Sequence, residues 1–372
     1  MLAELQLVAG QLRAATSSYR YGLEIENSLA RESSEALFLG SIYLGLAELH
    51  YEWNELPAAA RYAAQSIESS RAGQNREYEA AALAVLAQVK QMQGDHAGAL
   101  DSIQQAEQIV HNRNIAAEIG AIAAQHVNLL LAQDRIGEAA RVVSELPPED
   151  PTTFRLERIF IFHRHVSVSH ARLLIAQREF AQAIQWLEPL QTQAQAAAET
   201  GTLIGLLALL ALARHGRGEA TLATMALARA LLLAEPEAYV RTFVDLGEPM
   251  RVMISAYVQQ SLEQFQSEEN QGIQSFARYL DRLLAAFPDS SVESSVPKVE
   301  FLNPTLEMVE PLSERELIVL HLIAEGLSNQ DIAERLVLSV STIKTHIYNI
   351  FGKLGVRSRT QALARAREFK WL

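Results

Sequence analysis

The chain contains no cysteine, which removes disulfides, thiolate metal sites and a thiol nucleophile from consideration and fits a reducing cytoplasm. Its first residues, MLAELQLVAGQLR, lack the basic segment, apolar core and cleavage site of a signal peptide. Long apolar runs are equally scarce. The best, Thr202 to Ala213, has 12 residues where a membrane-spanning helix needs roughly 20, so it reads as a core helix and no membrane partner is expected. No Gly-x-x-x-x-Gly-Lys-Ser/Thr loop is present to cradle phosphates; the one Gly-Lys pair, Gly352-Lys353, is followed by Leu354. His163, His165 and His170 are spaced as metal ligands could be, but no carboxylate cluster converges on them in the sequence. No triad or carboxylate pair has a supporting motif. The reading is therefore of a non-enzyme with no catalytic residue, metal or cofactor.

Positive charge is also short, and it is unevenly placed. Residues 312–372 hold nine Lys and Arg against six Asp and Glu, net +3, and residues 1–311 hold net −15, which together give the chain's −12. So acidic a body does not attract nucleic acid, and any such contact must be local to the C-terminal residues.

Strand signals are nearly absent from residues 1–248, and one helical unit recurs there. A small residue preceded by a polar or glycine turn falls at Ala15, Ala59, Ala99, Ala139, Ala183 and Ala223, at spacings of 44, 40, 40, 44 and 40. Larger residues stand three places earlier at Leu12, Leu56, Ile136 and Phe180, with His96 and Ala220 the poor members. A small residue at a fixed point of each unit lets two antiparallel helices approach closely, and such hairpins must stack because none buries its apolar face alone. The unit Leu86-Ala87, Gly94-Asp95, Ala99, Ile103 and Ala106 resembles a tetratricopeptide repeat, although the period exceeds the 34 residues of that repeat. The expectation is a right-handed superhelix with a concave surface for a ligand or partner.

Residues 249–286 continue helical, with Met253, Ile254, Tyr257, Phe276, Tyr279, Leu280, Leu283 and Leu284 around a polar segment, Gln259 to Gln274. Residues 287–311 are rich in Pro, Ser and Glu without a sustained period and read as a linker.

Residues 312–372 carry a different pattern. Ser313 with Glu316 forms a capping box that opens an amphipathic run through Leu317, Leu320, Ile323 and Ala324, and Gly326 closes it. Ser328 can cap a second helix through Ile332, Ala333 and Leu336. Ser339 can cap a third, whose apolar positions are Val340, Ile343, Ile347, Ile350, Phe351 and Leu354. The other face of that third helix presents Ser341, Lys344, Thr345, Tyr348 and Gly352. A stripe of cation, hydroxyls and an aromatic opposite a buried stripe suits insertion into a major groove. It also suits the solvated face of an ordinary helical bundle.

These residues resemble the LuxR-type helix-turn-helix of bacterial transcription regulators. The resemblance rests on Leu-Ser-Glu-Arg-Glu (312–316), Ala-Glu-Gly-Leu-Ser-Asn (324–329), Ile-Ala-Glu-Arg-Leu (332–336), the Ser339 to His346 run and Lys-Leu-Gly-Val-Arg-Ser-Arg (353–359). It implies four helices, with Lys344, Thr345 and Tyr348 facing bases and Thr342, Lys353 and Arg357 nearer phosphates. The fourth helix, Arg359 to Phe369 after a Ser358/Gln361 capping box, would pair two subunits on DNA. The stretch Arg229 to Met250, RALLLAEPEAYVRTFVDLGEPM, is similar to the end of the helical sensor domain of MalT-like regulators.

Together these resemblances imply an all-α chain, with a tetratricopeptide-like superhelix (1–248), a helical extension (249–286), a linker (287–311) and a LuxR-type domain (312–372). They imply a cytoplasmic, sequence-specific transcription activator that binds double-stranded promoter DNA as a homodimer, with RNA polymerase as a partner and a small-molecule or protein effector on the repeats. The alternative is a repeat scaffold whose helix-turn-helix binds protein. MalT-like proteins usually begin with an ATP-binding region whose loop is absent here, and Ala15 calls for a full preceding helix; the chain is accordingly expected to be the C-terminal portion of a longer regulator or the product of a late start.

Overall fold

The computed structural model describes residues 2–29, 38–113, 116–146, 159–265, 271–288, 314–336, 340–354, 356 and 358–368. Among these, every regular element is a helix. The chain divides into two compact units, residues 1–299 and 300–372.

The first unit begins with six hairpins: α1 (Leu2–Val8) with α2 (Leu12–Leu29), α3 (Leu39–Glu52) with α4 (Leu56–Ala72), α5 (Arg76–Met92) with α6 (His96–Arg113), α7 (Ala116–Ala132) with α8 (Ile136–Glu145), α9 (Ile159–Ala176) with α10 (Phe180–Ala196), and α11 (Thr200–Gly216) with α12 (Ala220–Ala234). One local device makes all six turns. Gly10, Asn54, Gly94, Asp134, Arg178 and Gly218 stand at the 44, 40, 40, 44, 40 spacing, each with φ between +56° and +82°. In each turn the N–H of this left-handed residue bonds three residues back and the next N–H five back, as with Asn54 to Tyr51 O and Glu55 to His50 O, both 2.8 Å. This double bond satisfies the orphan carbonyls of the first helix, and two residues later the second helix starts.

The six alanines of the register, Ala15, Ala59, Ala99, Ala139, Ala183 and Ala223, all have zero exposure. Twelve residues before each, on the first helix of the hairpin, stands Ala3, Ala47, Ala87, Val127, Ala171 or Ala211, the first 6% exposed and the others fully buried. Small residues on both helices of every hairpin permit the close approach. The surrounding Leu, Ile and Val then supply the buried apolar area that stabilises the stack. The apolar run noted at Thr202 to Ala213 lies within α11, whose residues 206–213 are all buried, and among the described residues no helix is long and apolar enough to cross a membrane.

After α12 come a 3₁₀ turn (Glu235–Glu237), α13 (Arg241–Val244), α14 (Glu248–Phe265) and α15 (Gln271–Ala285). The last two join the array rather than trail from it: Met250, Met253, Ile254, Phe276, Tyr279, Leu280, Leu283 and Phe287 share one buried cluster with α9 to α12. Phe287, 7% exposed, therefore packs with the array although its sequence neighbours read as linker. The α14 helix runs to Phe265 through the first part of the polar segment. The rest of the linker, residues 289–311, lies outside the described residues.

The same cluster contains Ala3, Leu12, Ala15 and Leu49 from the first two hairpins. The array thus returns on itself, and α1 meets α11 where Gly10 and Gly201 approach closely: a Cβ on Gly201 would stand 3.0 Å from Leu7 O.

Candidate nucleic-acid interface

The second unit contains α16 (Glu314–Ala324), α17 (Asn329–Leu336), α18 (Val340–Leu354) and α19 (Arg359–Glu368). Its core consists of Val319, Leu320, Leu322, Ile323, Ile332, Ala333, Ile343, Ile350, Ala362 and Ala366, with Leu327, Leu336, Ile347, Phe351, Val356 and Leu363 packed against them. Two positions read as core are not. Ala324 is exposed at the end of α16, and Val340, 37% exposed, sits in the first turn of α18, ahead of the point where that helix meets the others. The side chains of Leu317 and Leu354 lie outside the described residues, as do Ser313 and Ser339, so the caps assigned to those two serines do too.

The joint between α16 and α17 is built by Gly326, at φ +86°, with Gly326 N–H to Ile323 O at 3.1 Å and Leu327 N–H to Leu322 O at 3.3 Å. A capping box follows. Ser328 N–H donates to Asp331 Oδ2 at 2.9 Å, and Asp331 N–H donates to Ser328 Oγ at 3.3 Å. The bonds from Ser328 hold the Asp331 carboxyl below its usual range. At the other end of the domain, Gln361 N–H donates to Ser358 Oγ at 3.1 Å, so Ser358 caps α19. Arg359 reaches from α19 to the carbonyls of Ile323, at 3.3 Å, and Leu327, placing a cation where α16 ends and its dipole is negative.

The core holds α18 by one side, through Ile343, Ile347, Ile350 and Phe351. Ile343 and Ile350 have zero exposure, while Lys344, one position round the helix from Ile343, is exposed. By helical register Ser341, Thr345 and Tyr348 share the side of Lys344, whereas Thr342, half-buried, and Lys353 flank the buried stripe on its other edge. Six of the seven residues read as DNA-contacting, Ser341, Thr342, Lys344, Thr345, Tyr348 and Lys353, therefore stand on one helix. The side chains of Ser341, Thr345, Tyr348 and Lys353 lie outside the described residues, as does the whole of Arg357. Sequence reasoning missed Arg359 as the tie between α16 and α19; a lone Arg after a serine cap carries no signal of what it reaches.

In the first unit, His170 stacks on Trp186 with ring centroids 4.6 Å apart, and burial lowers its pKa. The side chains of His163 and His165 lie outside the described residues, and among those described no group of three metal-ligating side chains occurs.

An array of helical hairpins in one chain with a capped helix-turn-helix defines a helical-repeat protein that carries a DNA-binding-type domain. The model of the MalT-like TPR region matches residues 1–260 and that of the bacterial regulatory proteins of the luxR family matches residues 310–366. The chain belongs to the family of MalT-like, LuxR-type regulators. The HTH-type transcriptional regulators MalT of two strains of Klebsiella pneumoniae are each 31% identical to it over 204 residues, which is 54% of this chain and 22% of each relative. The match thus spans about a fifth of the length of those relatives.

Proposed function

We propose that this chain is a transcription regulator, not an enzyme, and that α18 is its reading helix. Lys344, Thr345 and Tyr348, with Ser341 beside them, face base edges in the major groove, and Thr342, Lys353 and Arg357 meet phosphates. The observation that carries this reading is the division of α18 between Ile343 and Ile350, fully buried, and Lys344, exposed, on a helix held in the core of the domain. A helix held along one stripe leaves the opposite stripe free to enter a groove.

The net +3 of residues 312–372 against −15 elsewhere supports contact confined to this domain, since the remainder of the chain repels a polyanion. In this reading the protein works in the cytoplasm as a homodimer paired through α19, activates transcription with RNA polymerase and takes an effector on the repeat array. Selection of DNA from a random pool by the full chain tests it. A two-fold-related pair of half-sites should be enriched, with affinity falling steeply with salt. A pool left unenriched at low salt, with the chain folded, would point instead to a protein-binding scaffold.

A further inference from the structure

The stretch Arg229 to Met250 lies apart in sequence from α18, and among the described residues of the first unit its second half makes an extensive polar contact with α3. Glu52, at the end of α3, accepts through Oε1 from the N–H groups of Val240 and Thr242, both at 3.0 Å, and through Oε2 from the Thr242 hydroxyl at 3.0 Å. Its own carbonyl also accepts from Val240 N–H at 3.2 Å. A carboxylate about 190 places earlier in the sequence thereby caps the start of α13.

Around it, Trp53 Nε1 donates to Glu237 O at 2.9 Å and Arg13 N–H to Glu237 Oε2 at 2.9 Å. Tyr51 donates to Asp245 Oδ2 at 3.0 Å, and Arg172 on α9 donates to the Asp245 carbonyl at 2.6 Å. Arg241, 1% exposed, pairs with Asp245 and donates to Asn54 Oδ1 at 3.3 Å, with its guanidinium 5.2 Å from the centre of the Tyr51 ring.

Neighbouring hairpins adhere through Ala, Leu and Val, whose exposure water does not compensate. At this junction Leu12, Ala15 and Leu49 share a buried apolar cluster with Tyr239, Val240 and Phe243, but much of the contact is made by hydrogen-bonding groups that water satisfies when they part, and the two sides meet over fewer residues than adjacent hairpins do, so separation here costs less than separation of two hairpins. We propose that the junction is a latch, at which residues 237–245 and the helices after them part from α1–α4 while the hairpins themselves stay folded.

Burial pushes the Glu52 carboxyl up to about 7 from 4.5, with Asp245 adding to the rise and the Thr242 and Val240 donors opposing it. The titratable groups coupled to Glu52 are Asp245 and Tyr239 from the far side of the junction and Tyr279 from α15; around them Arg241, Tyr51 and Arg172 reach Asp245, and Glu237 meets Trp53 and Arg13. Burial raises the phenols of Tyr51, Tyr239 and Tyr279 further from neutrality, whereas the Glu52 carboxyl, raised to about 7, changes charge near neutral pH. The closed latch keeps the Glu52 proton to about 7, and the open one releases it near 4.5. Closure therefore weakens as pH rises through that interval and changes no further above it.

The absence of cysteine makes the distance across the latch directly measurable. Ala64 on α4 and Asp281 on α15 are exposed; with both replaced by cysteine and spin-labelled, pulsed dipolar spectroscopy of the full chain at pH 5.5 and 8 reads the separation. One distance is expected at pH 5.5 and a second, longer population at pH 8. Glu52→Gln should remain closed at both pH values, and Thr242→Val, a mild change that leaves the backbone donors in place, should shift the parent's balance toward the longer distance. A single unchanged distance in the parent and in Thr242→Val at both pH values overturns the latch. Because both labels lie within the first unit, the outcome is independent of whether α18 reads DNA.

Discussion

Ala99 offers the sharpest test of the hairpin register, because its site should refuse both a larger and a smaller side chain. It has zero exposure, and so does Ala87, twelve residues earlier on the facing helix. Glycine at 99 removes one buried methyl, about 0.8 kcal/mol of transfer free energy, and adds a helix-interior glycine, about 1 kcal/mol, for a loss of about 2 kcal/mol. Leucine adds three carbons where two helices meet over small residues, and overpacking of this kind costs about 1–3 kcal/mol. Urea unfolding followed by circular dichroism, with α6 observed by hydrogen exchange, resolves both. Hairpin 3 is interior to the array, so its loss should also lower protection in α4 and α7. If Ala99→Leu proves as stable as the parent, the two helices do not meet at this point and the register fails as an explanation of the fold.

Two glycines with open space around them should respond in opposite directions. Neither Gly94 nor Gly137 has an atom within 4 Å of where a Cβ would go, but Gly94 has φ +81°. Gly94→Ala should therefore cost about 1–2 kcal/mol through the backbone alone, while Gly137→Ala, inside α8, should gain about 0.4–1 kcal/mol; chemical denaturation reads both signs. In the second unit, Arg359→Ala removes a half-buried cation from two carbonyls of the α16–α17 joint. That change should cost about 1.5 kcal/mol, the low end for a charged hydrogen bond. Arg359→Lys should recover only part of it, since an ammonium lacks the planar fork, and equal thermal stability of the three proteins would refute the assigned tie.

Much of the fold was legible because the hairpins repeat one physical problem. Each needs a left-handed residue to end its first helix and a small residue where the helices cross, and these recur at a spacing that alanine abundance does not hide. The matching position on the first helix was read only at Ala87; at Ala3, Ala47, Val127, Ala171 and Ala211 it went unread because no turn marks it. The return of the array on itself was not legible at all. It depends on Glu52 meeting Val240 and Thr242, and neither periodicity nor composition relates residues so far apart. In the helix-turn-helix, buried Ile343 and Ile350 followed the apolar period, whereas Val340 shared that period yet is exposed, since its turn precedes the packed length of α18. The packing of Phe287 was missed for a similar reason: its neighbours Pro288, Asp289 and Ser290 set the local composition, and one aromatic does not change it.

The role of α18 is tested most directly by an anisotropy titration of the full chain on its selected DNA site, comparing the parent with Lys344→Ala and Ile343→Ala and recording circular dichroism of each. Lys344 is exposed, so Lys344→Ala should stay folded and lose about 1–3 kcal/mol of binding, about 5- to 150-fold in Kd. Ile343 is fully buried, so Ile343→Ala should lose about 2–5 kcal/mol of stability and bind weakly only because the domain unfolds. A folded Lys344→Ala protein that binds the site as tightly as the parent would contradict the assignment of α18 as the reading helix.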